Sequence, residues 1–322
     1  MLNKKNFYID GKWIAPIEPR NYKVIDPSNE EPCAEISLGG KKDIDKAVSA
    51  AKKAFGTWAF SKKEERLELL EKLYVIYKKR WAEMAKLITL EMGAPMKFST
   101  EMQAATGASH IKSFKNILKD FKFEKDLGEE KNNQKLLYEP KGVCALITPW
   151  NWPINQVNLK VIPALASACT VVLKPSEIAP LSSMLLAEMI DEAKFPSGVF
   201  NLVNGDGAIT GDALTSHPDI DMISFTGSTR AGALISQNAA KDFKRISLEL
   251  GGKGANIIFK DADSEAIARG VLRCFRNSGQ SCNAPTRMLV EKSIYNETVE
   301  KVKKLANNTK VDSPQKDGDH IG

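Results

Sequence analysis

Of the five cysteines in this 322-residue chain, Cys33, Cys144, Cys169, Cys274 and Cys282, one stands where a nucleophile could work. Cys282 closes the run Gly279-Gln280-Ser281-Cys282-Asn283, a loop between a predicted helix and a predicted strand, where a thiol can face a crevice. A free thiol is already partly ionised at neutral pH, so a base partner helps covalent catalysis without being obligatory. Residue type alone leaves a structural or surface cysteine as the competing reading, because reactivity needs access and a stabilised thiolate. The other four fall in a polar N-terminal loop (Cys33), two strand-like runs (Cys144, Cys169) and a helix (Cys274), where packing as a small apolar group accounts for them.

Two further residues have chemistry suited to such a thiol. Glu249 ends the strand-like run Ser247-Leu248-Glu249-Leu250 and is followed at once by Gly251-Gly252, so its carboxylate faces either solvent or a crevice; only the second would suit a general base. Asn151, in Thr148-Pro149-Trp150-Asn151-Trp152-Pro153, follows a predicted strand at the carboxyl end, where open α/β sheets bind ligands. An amide donor there could hold an oxyanion, although an asparagine between two prolines also reads simply as a turn former. Two glycine patterns suggest phosphate. Gly205-Asp206-Gly207-Ala208-Ile209-Thr210-Gly211 follows a strand and opens a helix, yet is one residue longer than the usual dinucleotide fingerprint. Phe225-Thr226-Gly227-Ser228-Thr229 also joins strand to helix, which would set backbone amides at a positive helix terminus; ordinary capping by Ser228 is the alternative.

The elements that must position these residues alternate from about residue 140 onward. Val143–Thr148, Thr170–Lys174, Val199–Val203, Met222–Phe225 and Ile246–Leu250 read as strands, separated by helical stretches at Ile154–Ala168, Leu181–Ala193, Ala208–Ser216 and Ala231–Ala240. Such alternation predicts a parallel sheet wrapped by helices. Ahead of it, Ile44–Phe55, Lys62–Leu90 and Thr100–Leu118 read as helices, and the polar, strand-prone segment 122–140 reads as an arm. After Gly254 a new unit begins, with a strand (Ala255–Phe259), a helix (Ser264–Asn277), the Cys282 loop, a strand (Thr286–Val290) and a helix (Ile294–Leu305).

Bulk properties narrow the field without naming a function. An apolar fraction of 43% and a charged fraction of 27% are those of an ordinary globular protein. The net charge, 46 basic minus 40 acidic residues, is +6, but the lysines are scattered among acids and only 7% of residues are aromatic, so no nucleic-acid footprint is expected. The cysteines lack paired short spacing and flanking histidines, which argues against both disulfides and a metal site. The longest near-apolar run, Val161–Leu173, is too short to span a bilayer, and residues 1–11 have no signal-peptide core; a cytoplasmic protein without membrane contact is expected.

Five stretches in order, Thr148–Pro153, Lys174-Pro175-Ser176-Glu177, Phe225–Thr229, Leu248–Lys253 and Gly279–Cys282, resemble the NAD(P)-dependent aldehyde dehydrogenase superfamily, and the likeness runs from about Phe7 to the end of the chain. The resemblance implies a Rossmann-like parallel-sheet cofactor domain (1–121 and 141–250), a small β oligomerisation arm (122–140) and an α/β catalytic domain (251–322). It implies Cys282 as nucleophile, Glu249 as the base that activates water, Asn151 with the Cys282 backbone amide as oxyanion hole, and Lys160 in proton release from Glu249. NAD would contact Thr148, Pro149, Trp150, Lys174, Ser176, Glu177, Gly207, Gly211, Phe225, Thr226, Gly227, Ser228 and Leu250. Lys174 and Glu177 would hold the adenine ribose, and a carboxylate at Glu177 repels a 2′-phosphate, favouring NAD over NADP. Trp152, Gln156, Leu159, Ser281 and Asn283 fall where members of the superfamily line the aldehyde tunnel. Gln156 and Asn283 suggest something other than a long alkyl chain, without naming the aldehyde.

The resemblance also implies more chain than is present here. Members of the superfamily continue through a Glu-Glu-Xaa-Phe-Gly-Pro segment and a C-terminal tail used in subunit pairing, as homodimers or homotetramers. The expectation is therefore of a partial catalytic domain, with a remnant that only binds nucleotide or pairs with subunits as the alternative. A coenzyme A-acylating branch is disfavoured by Glu249, which such branches generally lack.

Overall fold

The computed structural model describes residues 1–127 and 134–322, so 128–133 of the expected arm lie outside the described residues. The chain opens with five short strands, β1 (Leu2–Lys4), β2 (Phe7–Ile9), β3 (Lys12–Ile14), β4 (Asn21–Asp26) and β5 (Glu31–Ser37). Helices follow: α1 (Lys41–Trp58), α2 (Lys63–Lys79), α3 (Trp81–Met92), the single turn α4 (Met96–Phe98), a π turn at Ser99–Gln103, and α5 (Ala104–Asp120). A hairpin, β6 (Glu124–Asp126) and β7 (Lys135–Leu137), precedes the alternating unit β8 (Val143–Ile147), α6 (Pro153–Ala166), β9 (Thr170–Lys174), α7 (Leu181–Glu192) and β10 (Phe200–Leu202). That unit continues through a π turn at Gly207–Gly211, α8 (Asp212–Thr215), β11 (Met222–Gly227), α9 (Thr229–Ala240) and β12 (Arg245–Leu250). The last part comprises β13 (Ala255–Ile258), α10 (Ser264–Phe275), a tight turn at Arg276–Gly279, β14 (Arg287–Val290) and α11 (Tyr295–Asn307).

The main sheet has seven strands in the order β12-β11-β8-β9-β10-β2-β3; its first five strands are parallel, and β2 and β3 add antiparallel. β8 and β9 are buried at every position because helices cover both faces, which is why their sequences are continuous apolar runs rather than alternating ones. On one face α2, α5, α6 and α7 enclose a core around Tyr77, Leu73, Ile154 and Met184; on the other, α1 and α9 enclose Phe7, Ile44, Val172 and Ile223. From β8 the chain runs outward to β9 and β10, then crosses to β11 and β12 on the opposite side. β8 and β11 are therefore neighbours whose connections leave in opposite directions, which opens a crevice above their carboxyl ends. β13 and β14 form a separate parallel pair with α10 and α11.

Several expectations are corrected. The helix expected over Lys62–Leu90 is two helices, broken at Arg80, which caps the end of one and the start of the next while its guanidinium pairs with Glu83 and Glu188. The helix expected at Ala208–Ser216 is a π turn followed by one short turn. Cys33 is not in a loop but on β5, in a sheet of β1, β5 and β4 that the polar N-terminal sequence hid. Among the described residues no helix is long and apolar enough to cross a membrane.

Candidate active site

The parallel register aligns the motif residues along one edge. Ile147 pairs with both Lys174 and Phe225, Phe225 pairs with Leu248, and Thr226 pairs with Glu249. The segments that leave the sheet next, Thr148–Asn151, Pro175–Glu177, Gly227–Ser228 and Leu250–Gly251, thus share the carboxyl edge, although they lie far apart in sequence.

The Cys282 loop is fastened to this edge from outside the sheet. After α10, Asn277, Ser278 and Gly279 all take left-handed backbone angles, with φ of 56°, 55° and 74°, and turn the chain towards Gln280 and Cys282. The side-chain amide of Asn151 donates to the Gln280 carbonyl at 2.9 Å, and the Trp152 indole N–H donates to the Ser281 hydroxyl at 2.9 Å. Cys282 itself is exposed. The four other thiols are more enclosed. Burial raises Cys33 to about 11, and Cys274 is raised by burial while it donates to the Pro285 carbonyl at 3.0 Å. Cys169 is held low by a hydrogen bond from the Cys144 thiol, helped by Ser167 and backbone N–H groups, yet it is 4% exposed at the amino end of β9. A stabilised thiolate without access is no partner for a substrate.

Lys160 projects from α6 onto the sheet and donates to the Ser224 hydroxyl at 3.1 Å. At 7% exposure its ammonium is penalised by desolvation, which lowers its pKa to about 8 despite an opposing contribution from Glu249. Glu249 lies on the edge strand β12 and is exposed, so the crevice setting considered from the sequence is not met by burial. Among the described residues no hydrogen bond joins Glu249 to the Cys282 loop; the fastened pair is Asn151 and Trp152 with Gln280 and Ser281.

The rest of the edge has features that suit a dinucleotide. Among the described residues the buried hydroxyls of Thr148 and Thr226 have no partner, and a side chain added at Gly207 would meet nothing within 4 Å. Ser228 caps the twelve-residue helix α9 by accepting from the Ala231 N–H at 3.2 Å, so its hydroxyl is committed to the cap while the helix terminus carries positive potential. Lys174 is buried and donates to the carbonyls of Pro175 (2.9 Å) and Gly205 and to the Glu177 carboxylate at 3.4 Å; burial lowers its pKa. Ser176 accepts from the Ile178 N–H at 3.3 Å, Gly211 ends the π turn, and Leu250 is exposed beside the edge. Pro149, Trp150, Phe225 and Gly227 complete the two strand ends. Dinucleotide chemistry is served by such a set: a helix terminus for pyrophosphate, and paired cation and carboxylate for a ribose.

Of the residues expected around an aldehyde, Trp152 packs edge-on against Phe98 at 5.7 Å, the Gln156 carbonyl oxygen is buried without a partner among the described residues, and Leu159 and Asn283 are exposed. Three side chains escaped the sequence reading. Ser224 meets Lys160, while Gln103 and Asn277 join each other at 2.7 Å beneath the Cys282 loop. A glutamine in helical register with the buried Gly107 and Ile111 was the one clue to Gln103.

Comparison with known proteins fits this geometry. The sequence profile of the Aldehyde dehydrogenase family matches residues 13–322. Over 324 residues the chain is 48% identical to a 3-succinoylsemialdehyde-pyridine dehydrogenase of a Pseudomonas species, covering 100% of this chain and 67% of that protein. The crystal structure of an aldehyde dehydrogenase from Bartonella henselae superposes with a TM-score of 0.98 at 59% identity, over 100% of this chain and 68% of that one. A cysteine-to-alanine mutant of aldehyde dehydrogenase C from Pseudomonas syringae, in complex with NAD+ and octanal, superposes with a TM-score of 0.94 at 45% identity, over 96% of this chain and 63% of that one. The chain thus spans about two thirds of the length of the relatives it matches, at 67%, 68% and 63%.

Proposed function

The chain belongs to the aldehyde dehydrogenase family, and from that premise we propose that it oxidises an aldehyde to a carboxylic acid with NAD, using Cys282 as nucleophile and Glu249 as base. The observation that carries this reading is the double clamp, Asn151 to Gln280 and Trp152 to Ser281, each at 2.9 Å, which sets an amide donor beside the loop of an exposed thiol.

The Cys282 thiolate adds to the aldehyde carbon; a C–S bond forms and the carbonyl oxygen takes up the negative charge. An asparagine amide has two hydrogens. One at Asn151 is committed to Gln280, and the second, with the Cys282 backbone N–H, serves that oxygen. NAD, held by residues of the sheet edge, would supply the acceptor for the hydride; the adduct on Cys282 loses that hydride from its C–H bond and becomes a thioester. Glu249 then removes a proton from water as its oxygen attacks the thioester carbon, the C–S bond breaks, and the acid leaves with the Cys282 thiolate restored. Lys160, held to Ser224 and with its pKa lowered to about 8, is suited to pass on the proton that Glu249 acquires.

Glu177, paired with Lys174, supports NAD over NADP as the cofactor. Thr148, Thr226, Ser176, Gly207, Gly211 and the residues around Ser228 would complete the cofactor contacts, and Gln156, Leu159 and Asn283 would face the aldehyde. We read 1–121 with 141–250 as the cofactor-binding part, 251–322 as part of the catalytic domain, and the β6–β7 hairpin, with exposed Leu137 and Tyr138, as an arm for homodimer or homotetramer pairing in the cytoplasm. The test is NADH formation by the 322-residue chain with NAD and a panel of aldehydes, with product analysis. Expected is stoichiometric acid, abolished in Cys282→Ala; turnover that survives in that variant contradicts the reading.

A further inference from the structure

We propose that Gln103 is a positioning residue for the Cys282 loop, acting through Asn277; the inference rests on the reading of that loop as the carrier of the nucleophile. Gln103 ends the π turn Ser99–Gln103, a rare winding that occurs at functional sites because it redirects side chains. Its amide nitrogen donates to Asn277 Oδ1 at 2.7 Å and to the Asn151 carbonyl at 3.2 Å. Asn277 Nδ2 donates in turn to the same Asn151 carbonyl at 2.9 Å and to the Gln280 carbonyl at 3.2 Å. Three remote segments therefore meet at one place: the π turn, the turn after β8 and the entry to the nucleophile loop.

Two observations argue that this amide serves placement rather than stability. Asn277 and Ser278 hold left-handed angles without being glycine, a conformation that persists only where the surroundings over-determine it. The contacts of Asn277, which is 2% exposed, do that. Gln103 is fully buried, yet among the described residues its own carbonyl oxygen has no partner. An unpaired buried acceptor is costly, and an apolar residue of the same shape would avoid that cost. Only one amide orientation works, because the flipped group would set an acceptor against both Asn277 Oδ1 and the Asn151 carbonyl.

The experiment is hydrogen exchange on the 322-residue chain carrying Gln103→Met or Gln103→Glu. It follows residues 276–284, where the Gln280 and Ala284 N–H groups are bonded, with β8 and β9 as reference. In Gln103→Met, loop protection is expected to fall about tenfold, as for the loss of one buried hydrogen bond, with β8 and β9 changed less than about twofold. In Gln103→Glu the protonated acid can still donate to Asn277, so protection stays near native at acidic pH; once ionised, it faces two acceptors and protection collapses. Unchanged loop protection in Gln103→Met, equal loss across β8 and β9, or a pH-independent Gln103→Glu would each overturn the inference. Exchange needs neither aldehyde nor cofactor. A chain that loses loop protection as expected but gives no Cys282-dependent turnover would therefore refute the proposed function alone.

Discussion

The amide of Asn151 and the carbonyl of Gln280 are 2.9 Å apart, which binds the turn after β8 to the loop that bears Cys282 two residues later. Asn151→Ala removes both that tie and the donor proposed for the oxyanion. Removing such a donor typically costs about a hundred- to a thousandfold in rate. Steady-state kinetics should show that loss in kcat with the KM for NAD nearly unchanged; an effect confined to KM would mean that Asn151 shapes binding only.

Lys160 sets a pH dependence. With its pKa lowered to about 8, the amine becomes a proton acceptor as pH rises through that value, so thioester hydrolysis should accelerate across it. Ser224→Ala removes an acceptor that favours the ammonium and should shift the midpoint downward, whereas Lys160→Met should flatten the profile. Rapid-quench measurement of the hydrolysis step at a series of pH values reads both, and a Lys160→Met profile that keeps the wild-type midpoint rules out this role.

Glu91 makes a prediction about stability. It is fully buried, and burial raises its pKa to about 7 although the N–H groups of Leu181 and Ser182 at the start of α7 bond to its carboxylate. For an acid whose folded pKa lies above its unfolded value, the native state binds more protons between the two. Stability is therefore greatest below the unfolded value of 4.5 and is lost as pH rises towards about 7. Denaturant midpoints should fall across that window relative to Glu91→Gln, which cannot ionise. Parallel curves for the two proteins would show that Glu91 does not titrate there.

Glu177 lies 3.4 Å from the Lys174 ammonium at the edge where a ribose would sit. Glu177→Gln removes the charge that repels a 2′-phosphate, so the preference for NAD over NADP should shrink about tenfold, mainly through tighter NADP binding. Calorimetric titration of both cofactors tests this; an unchanged ratio would place the discrimination elsewhere.

The parts of the fold legible in the sequence follow from burial. β8 and β9 are covered on both faces, so Val143–Ile147 and Thr170–Lys174 read as apolar runs, and Pro149 and Pro175 mark where each leaves the sheet. That was enough to place Asn151 at the carboxyl end of a strand; Glu177 entered through the family resemblance, and the pairing of Ile147 with Lys174 puts the two on one edge. The half-buried strands β4 and β5 carry charges and left no such trace, and Arg80 breaks a helix without proline or glycine, with ion pairs to residues in another turn and another helix. The Gln103–Asn277 contact spans 174 positions, and neither amide differs in type from a surface residue; beyond the helical register of Gln103 with Gly107 and Ile111, packing alone shows that both are buried.

In the proposed reaction an acyl group passes through Cys282 and leaves by water that Glu249 activates. Glu249→Gln keeps the shape of the side chain and removes the base, so incubation with NAD and an aldehyde should leave the acyl group on the enzyme. Intact-mass and peptide analysis after rapid quenching should find one added acyl group, on the peptide containing Cys282, together with one equivalent of NADH. NADH formed without an adduct on Cys282, or an adduct on any of the other four cysteines, would contradict the account.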